Sequence, residues 1–564
     1  MQLKGSEILV ETLIEQGVDT VFGYPGGAVL DIYEALYKRS DRITHYITSH
    51  EQGASHAADG FARASGKVGV VIATSGPGAT NLVTGIATAF LDSTPMVAIT
   101  GNVGMSLLGK DSFQEVDITG VTMPITKHNY IVKNVNDLAD TIREAFTLAA
   151  SGRPGPVLID IPKNIQNDVC EYTPQAPVEL LPAPEYDEED IDKALELIKN
   201  AKKPFIFAGG GVVLSDTSDL LLKFAEAIDA PIGTSMMGIS SVPRNHKSFV
   251  GMVGMHGRFA ATKSMYSADL IVAIGTRFSD RATGNKVKFC PNAKVIHIDI
   301  DEAEINKNIP CNVGIVGALA PILTTLTKKV GSLNHEEWTK EVQEYKDLEY
   351  SRIVQPNEMN PKVILEEVRK HAKDSTAVAT DVGQHQMWVT QFYDFMQPRK
   401  LITSGGLGTM GFGLGAAIGA CIANDKEMTV MVTGDGSFHM NFNELATCAR
   451  YNLPIKVILL NNNVLGMVRQ WQTVFYDKHY SQTTLDRKTN YKALAEAMGG
   501  SGYVANNPEE LKAACEKAFN EEGFSLIDCR IDSDEFVLPM IPANGSISDI
   551  IMKKEENLLW QNLS

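Results

Sequence analysis

The sequence predicts an α/β protein built from three doubly wound, mostly parallel-sheet domains followed by a C-terminal tail. Three observations carry that prediction. Short β-branched runs alternate with helical stretches over Arg42–Gly101, the same rhythm returns near the C-terminus, and a further set of buried-strand signals lies between them. The length of 564 residues, at about 150 residues per domain, calls for roughly four globular units and excludes a single core.

Along the chain, MQLKGSEILVETLIEQG predicts an amphipathic helix with Ser6 as its cap. ITHYITS, VGVVIATS and PMVAITG read as strands, with helices from about Glu51 and about Gly78 as the crossovers that parallel pairing requires. A stretch holding Pro174, Pro177, Pro182 and Pro184 and the acidic run Asp187 to Asp190 have the composition of a solvated linker. PFIFAGGGVVL, LIVAIGTRFSD and AKVIHIDID then supply the strands of a middle unit. A polar segment from about Gly331 to Pro361 closes it, with HEEWTKEVQEYKDLEY expected as an exposed helix. AVATDVGQ, MTVMVTGDG and IKVILLNNN are the strands of the last unit, and the pattern fades after about Met540. The expected units are residues 1–170, 190–330 and 360–540, with a tail at 541–564.

Composition narrows the function. The 51 Lys and Arg against 68 Asp and Glu leave a net charge of −17, so nucleic acid and anionic membrane surfaces are excluded as partners and any anionic ligand must be held locally. No apolar run reaches the roughly 20 residues of a membrane span, and no secretory apolar block opens the chain. Seven scattered cysteines without a C-x-x-C read as buried thiols in a reducing compartment, which makes the expected location cytoplasmic.

Several motifs are eliminated by their chemistry. Gly104, Gly109 and Lys110 mimic a phosphate-binding loop, but Asp111 stands where a magnesium-binding hydroxyl belongs. His50 and His56 are not one helical turn apart, so no zinc-protease pair forms. Gly406, Gly408 and Gly411 satisfy G-x-G-x-x-G, yet the acids about 20 residues on, Asp425 and Glu427, precede a strand instead of ending one. These glycines serve either backbone approach to a ligand or close helix packing. The strongest constellation is Gly434-Asp435-Gly436 with Asn461-Asn462 after the next strand. One βαβ unit apart, Asp435 and Asn462 reach the same rim of a parallel sheet, where two side-chain oxygens suit a hard cation such as magnesium. Glu51, at a strand end and a helix start, is either a solvated helix-dipole partner or a proton-exchanging group for a bound heterocycle.

HEQGASHAADGFAR, TSGPGATN, SGRPGPVLIDIPK, GGLGTMGFG, GDGSF with LNNN, and GMVRQW occur in the order found in thiamine-diphosphate-dependent decarboxylases and carboligases. The chain resembles that family from about Ser6 to about Pro542, and within it the acetohydroxyacid (acetolactate) synthase large subunits. The resemblance names the units a pyrimidine-binding, a middle FAD-binding and a diphosphate-binding domain. It implies that Asp435, Asn462 and the Val464 carbonyl hold Mg2+, that Gly434, Gly436 and Ser437 line the diphosphate, and that Glu51 hydrogen-bonds the aminopyrimidine ring. Gly408 and Met410 match the positions that bend the cofactor, and Tyr24, Pro25, Gly26, Gly27, Asn81, Gln384 and His385 match others beside it. Phe113, Gln114 and Lys163 match the substrate channel, and Trp471 the position that favours 2-ketobutyrate as acceptor. Arg153, Gly209, Gly210, Gly211, Met255, His256, Gly257, Arg277, Arg281 and Asp299 match an FAD site, with Ser279 departing from the more usual Asp.

The implied activity is decarboxylation of pyruvate and condensation with a second pyruvate or with 2-ketobutyrate in branched-chain amino-acid biosynthesis. The implied assembly is a homodimer or dimer of dimers with a separate small regulatory subunit. Related alternatives are a catabolic acetolactate synthase, a glyoxylate carboligase and a pyruvate oxidase. Glu51 argues against the carboligase, and RFSDR with Trp471 argues against the catabolic enzyme.

Overall fold

The computed structural model describes residues 1–352 and 358–553. Three six-stranded sheets, each parallel throughout, follow one another along the chain. In the first, Thr20–Tyr24, Thr44–Ile47, Gly69–Ala73, Met96–Asn102, His128–Ile131 and Pro156–Pro162 lie in the spatial order 2-1-3-4-6-5. In the last, Ala377–Thr380, Leu401–Ile402, Thr429–Gly434, Ile455–Asn461, Ser501–Ala505 and Ser525–Arg530 repeat that order. The middle sheet, Pro204–Ala208, Ile232–Thr234, Phe249–Met252, Leu270–Ile274, Lys294–Asp299 and Val313–Val316, has the order 3-2-1-4-5-6, the arrangement of dinucleotide-binding folds. The central strands are buried on both faces because helices cover both sides, which is why they read as unbroken apolar runs.

Three local expectations change. Ser6 lies inside the first helix, Gly5–Glu15, and is buried. The cap is Lys4, whose N–H is taken by the Glu7 carboxylate at 3.1 Å. The acidic run is not linker: Asp187 caps the helix Glu188–Asn200 through the Glu189 N–H, and its carboxylates face the positive end of the helix dipole. Helix Glu336–Arg352 is not a solvated helix, since Trp338 is buried and its indole N–H donates to the Pro204 carbonyl at 2.9 Å. The cysteines are all free thiols, six buried and Cys311 half-buried.

The most apolar segment, helix Phe412–Ala423, is buried all round, and it packs against the Glu51–Ser65 helix of the first domain. The two backbones approach closely: a Cβ on Gly60 would strike the Ala416 carbonyl, and one on Gly419 the Ala57 carbonyl. Gly419, in the same glycine-rich stretch as Gly406 to Gly411, therefore serves helix packing. Residues 541–553 dock on the middle unit through the Ile541 N–H to Met255 O bond at 2.8 Å and the Asn285 N–H to Gly545 O bond at 3.1 Å, while the buried Ile551 packs with Val474 and Phe536 of the last domain. Among the described residues, no helix is long and apolar enough to cross a membrane.

Candidate active site

The first domain gathers its candidates on the rim left by strands Thr20–Tyr24 and Gly69–Ala73, where the strand order reverses. Tyr24 ends the first strand, Pro25, Gly26 and Gly27 follow it, and the Ala28 N–H meets Thr74 Oγ1 at 3.3 Å. Glu51 is the first residue of its helix, partly exposed, and its Oε2 accepts from Asn81 Nδ2 at 3.0 Å. Helix Pro77–Asn81 backs it so tightly that a Cβ on Gly78 would lie 3.2 Å from Glu51 Oε1. Phe113, 87% exposed, and Gln114 ride on a loop seated over Gly76. Lys163 pairs with Asp31 at 2.6 Å and reaches the Gly27 carbonyl at 3.1 Å.

The last domain builds the opposite kind of site. Asp435 follows Thr429–Gly434 and is 1% exposed, yet neither carboxylate oxygen has a hydrogen-bond partner. Burial pushes its carboxyl up to about 6, and the nearby main-chain N–H groups of Asp435 and Asn462, outside hydrogen-bonding geometry, oppose that shift together with the Arg487 guanidinium. An orphaned buried carboxylate is costly and marks a place where a cation belongs. Asn462 stands beside it, its Oδ1 taking the Val464 N–H at 3.2 Å and its Nδ2 reaching Gln384 Oε1 at 3.3 Å. Among the described residues, no three His, Cys, Asp or Glu side chains cluster as a metal site, so the donors here are one carboxylate, one amide and main-chain carbonyls. That oxygen set suits magnesium better than zinc.

Around this point the backbone is laid open. Gly434 lies against the buried His385, where a Cβ would come 2.9 Å from the ring Nδ1. Burial holds this imidazole down to about 3, so it is neutral, and its Nε2 has no partner. Gly408, at φ +69°, has only Val382 within 4 Å of the Cβ it lacks, leaving room for a ligand above a backbone shape that favours glycine. Met410 beside it is partly exposed. Ser437 Oγ accepts the Gly411 N–H at 3.2 Å, tying the glycine loop to the Asp435 turn. Trp471 is partly exposed and packs at 5.2 Å from Phe475, itself exposed, so it is not a core residue.

The middle domain places Gly209, Gly210 and Gly211 after its first strand and Arg277 after its fourth, on the two sides of the point where its order reverses. Gly209 and Gly211 are pressed against Gly275, bringing the two loops together. His256 is buried with an unpartnered Nδ1, and burial lowers its imidazole to about 4. Met255 and Arg281 join through a 2.8 Å backbone bond, with Gly257 in the same turn. Burial raises the Asp299 carboxyl to about 6. Arg153, from the first domain, is held by Glu304 at 2.7 Å and Asp301 at 3.3 Å. The orphaned His256 nitrogen and the paired glycine loops fit a dinucleotide.

The structure thus brings Asp435, Asn462, Val464, Gln384, His385, Gly434, Gly436 and Ser437 together, and separately Tyr24 to Gly27, Glu51 and Asn81. No described hydrogen bond or ion pair joins Glu51 to Asp435 within the chain, and none links Phe113, Gln114 or Lys163 to Met410 or Trp471. Several buried carboxylates escaped the sequence reading, among them Asp59, Asp92, Asp381 and Glu444. Asp381, which accepts the Gly411 N–H at 2.7 Å, had a signal, because it ends a strand just before Gly383 much as Asp435 does. Asp92, in FLDSTP, had none.

Comparison with known proteins bears on this geometry. Residues 3–121 match the model described as thiamine pyrophosphate enzyme, N-terminal TPP binding domain, residues 191–326 the central domain, and residues 381–529 the C-terminal TPP binding domain. Fold and site therefore define a thiamine diphosphate enzyme. Similarity to individual proteins extends over nearly the full length. The chain is 43% identical to the acetolactate synthase large subunit of Haemophilus influenzae, over 98% of this chain and 99% of that one. It is 41% identical to the isozyme 3 large subunit of Escherichia coli over the same shares, and 43% identical to the probable large subunit of Methanocaldococcus jannaschii over 97% and 95%. The chain belongs to the acetolactate synthase large-subunit family.

Proposed function

We propose that the protein is an acetolactate synthase that joins pyruvate to a second pyruvate or to 2-ketobutyrate, using thiamine diphosphate held by Mg2+. The observation that carries this reading is the buried, unpartnered Asp435 carboxylate beside Asn462 at two adjacent strand ends. Bound there, thiamine diphosphate supplies an electron sink for losing carbon dioxide from one keto acid and a nucleophilic carbon for attacking another. Asp435, Asn462 and the Val464 carbonyl hold the metal, and the Gly434, Gly436 and Ser437 backbone faces the diphosphate. Glu51 keeps Oε2 on Asn81 and leaves Oε1 to hold a proton at the pyrimidine ring nitrogen. Gly408 and Met410 would contact the cofactor between its diphosphate and pyrimidine ends. Phe113, Gln114, Lys163 and Trp471 line the approach of the keto acids.

The family resemblance supports a homodimer as the smallest competent unit, with Glu51 of one copy facing Asp435 of the other. FAD occupies the middle domain in a structural role, supported by the strand order and the Gly209–Gly211 and Gly275 approach. The relatives are named large subunits, which supports a separate small regulatory partner. A biosynthetic enzyme of this composition belongs in the cytoplasm. The test is purified protein given thiamine diphosphate, Mg2+ and both keto acids. The expected result is 2-acetolactate together with 2-aceto-2-hydroxybutyrate and flavin absorbance bands, and a protein that makes only the pyruvate product refutes the biosynthetic assignment.

A further inference from the structure

The glycine loop that carries Gly408 and Met410 belongs to the last domain, and the helix that presents Glu51 belongs to the first. Each is gripped by a buried carboxylate from the other domain. Asp92, at the end of helix Val83–Leu91, has a fully buried side chain whose Oδ1 accepts the Gly406 N–H at 2.7 Å and whose Oδ2 accepts the Gly405 N–H at 3.0 Å. Arg63 supplies the countercharge at 3.0 Å, pairs also with Asp59, and donates its remaining nitrogen to the Thr403 carbonyl at 2.8 Å. The far end of the loop is tied within its own domain, by Asp381 to the Gly411 N–H.

Glu444 acts in the opposite direction. It is fully buried nine residues after Asp435, and it accepts the N–H groups of Ser49 and His50 at 3.0 Å each, with Thr447 Oγ1 at 2.6 Å. Those two N–H groups immediately precede Glu51, at the positive end of its helix, where a carboxylate is favoured. Both grips account for a glycine. A Cβ on Gly406 would lie 2.8 Å from Asp92 Oδ1, and a Cβ on Gly53 would run into the Glu444 carboxylate.

We propose that Asp92 and Glu444 are a reciprocal pair of positioning residues, through which each terminal domain sets the cofactor-facing element of the other within one chain. This rests on the thiamine diphosphate reading for its functional consequence, but not for its geometry. Neither carboxylate needs to touch the cofactor. Asp92 acts through the backbone that presents Met410, and Glu444 through the backbone that presents Glu51.

The test is a crossed comparison of Asp92→Asn and Glu444→Gln. Amide exchange of the unliganded full chain should rise in peptides spanning 403–411 for the first variant and 49–54 for the second. With thiamine diphosphate and Mg2+ as the probe, calorimetry should show Asp92→Asn weakening binding about 10- to 100-fold, the range expected when a supporting contact is lost. Glu444→Gln should keep binding within about twofold while kcat falls about 10- to 100-fold, as misplacing a reacting group by about an ångström does. Should either variant fail to fold, Gly406→Ala and Gly53→Ala press on the same grips from the other side with no buried charge removed. Equal loosening of both peptides by both variants, or no change in either, overturns the proposal. If the wild-type chain takes up no thiamine diphosphate, the functional reading falls, while the exchange data still decide whether the grips exist.

Discussion

The first and last domains are built on the same plan and put to opposite chemical use. Beyond sharing a strand order, they share an internal detail. In the first, Asp160 pairs in register with Thr100, and Asn102, two residues further along, donates to its carboxylate at 2.5 Å. In the last, Asp528 pairs with Leu459, and Asn461, again two residues along, donates to it at 2.8 Å. The frameworks therefore superpose in logic down to a buried Asn–Asp bridge between the fourth and sixth strands. The difference lies at the rim. The first domain presents Glu51 partly exposed and partnered by Asn81, while the last presents Asp435 buried and without a hydrogen-bond partner. The same scaffold offers a proton-handling group or a cation site according to how much water and how many partners a strand-end carboxylate is allowed.

That contrast is broken most severely at Asp435. Asp435→Ala should abolish magnesium-dependent retention of thiamine diphosphate and all product formation, read by calorimetry and by acetolactate assay; retention equal to wild type in the presence of a chelator contradicts the ligand assignment. Glu51→Gln should leave cofactor binding within a few-fold and lower the rate by about 10²- to 10⁴-fold, the usual worth of a proton-transferring group. If both substitutions act on binding alone, the two rims do not divide the labour as argued.

The shared Asn–Asp bridge gives a smaller, pH-dependent effect. Burial pushes the Asp160 carboxyl up to about 6 from 3.8, against its bonds to Asn102 and Thr100, and raises Asp528 in the same direction. A raised carboxyl binds its proton more tightly in the folded chain, so the contribution of this group to stability is greatest below about pH 4, falls as pH rises towards 6, and is level above. About two pH units correspond to about 3 kcal/mol at Asp160. Asp160→Asn should flatten that segment of the stability curve, as followed by denaturant unfolding between pH 4 and 7, and an unchanged slope contradicts it. The mildest change is at Trp471, where Trp471→Leu should shift the ratio of the 2-ketobutyrate product to acetolactate about tenfold towards acetolactate while leaving cofactor binding alone, because an apolar contact to one methylene is worth about 1–3 kcal/mol.

Much of this was open to inspection in the sequence. The buried strands announced themselves as β-branched runs, and Asp435 and Asn462 were recognisable because a parallel sheet sends every strand end to one rim. The local errors share a cause. Ser6 and the acidic run at Asp187 were judged by residue type, and what decided them was where the chain entered a helix. The Glu336 helix was judged by its charges, and what decided it was one tryptophan finding the Pro204 carbonyl. The glycine-rich stretch split three ways, into Gly419 packing against a helix, Gly406 meeting a carboxylate and Gly408 left open, which no reading of spacing separates.

The sequence alone determined the α/β architecture of the three domains, the shared rim of Asp435 and Asn462 and the family resemblance, because strand pattern and motif order are properties of neighbours along the chain. Tertiary structure decided which carboxylates are stripped of partners and which are gripped by backbone from another domain. Asp92 reaches Gly406 across 314 positions and Glu444 reaches Ser49 across 395, and desolvation of that kind exists only once distant segments have packed.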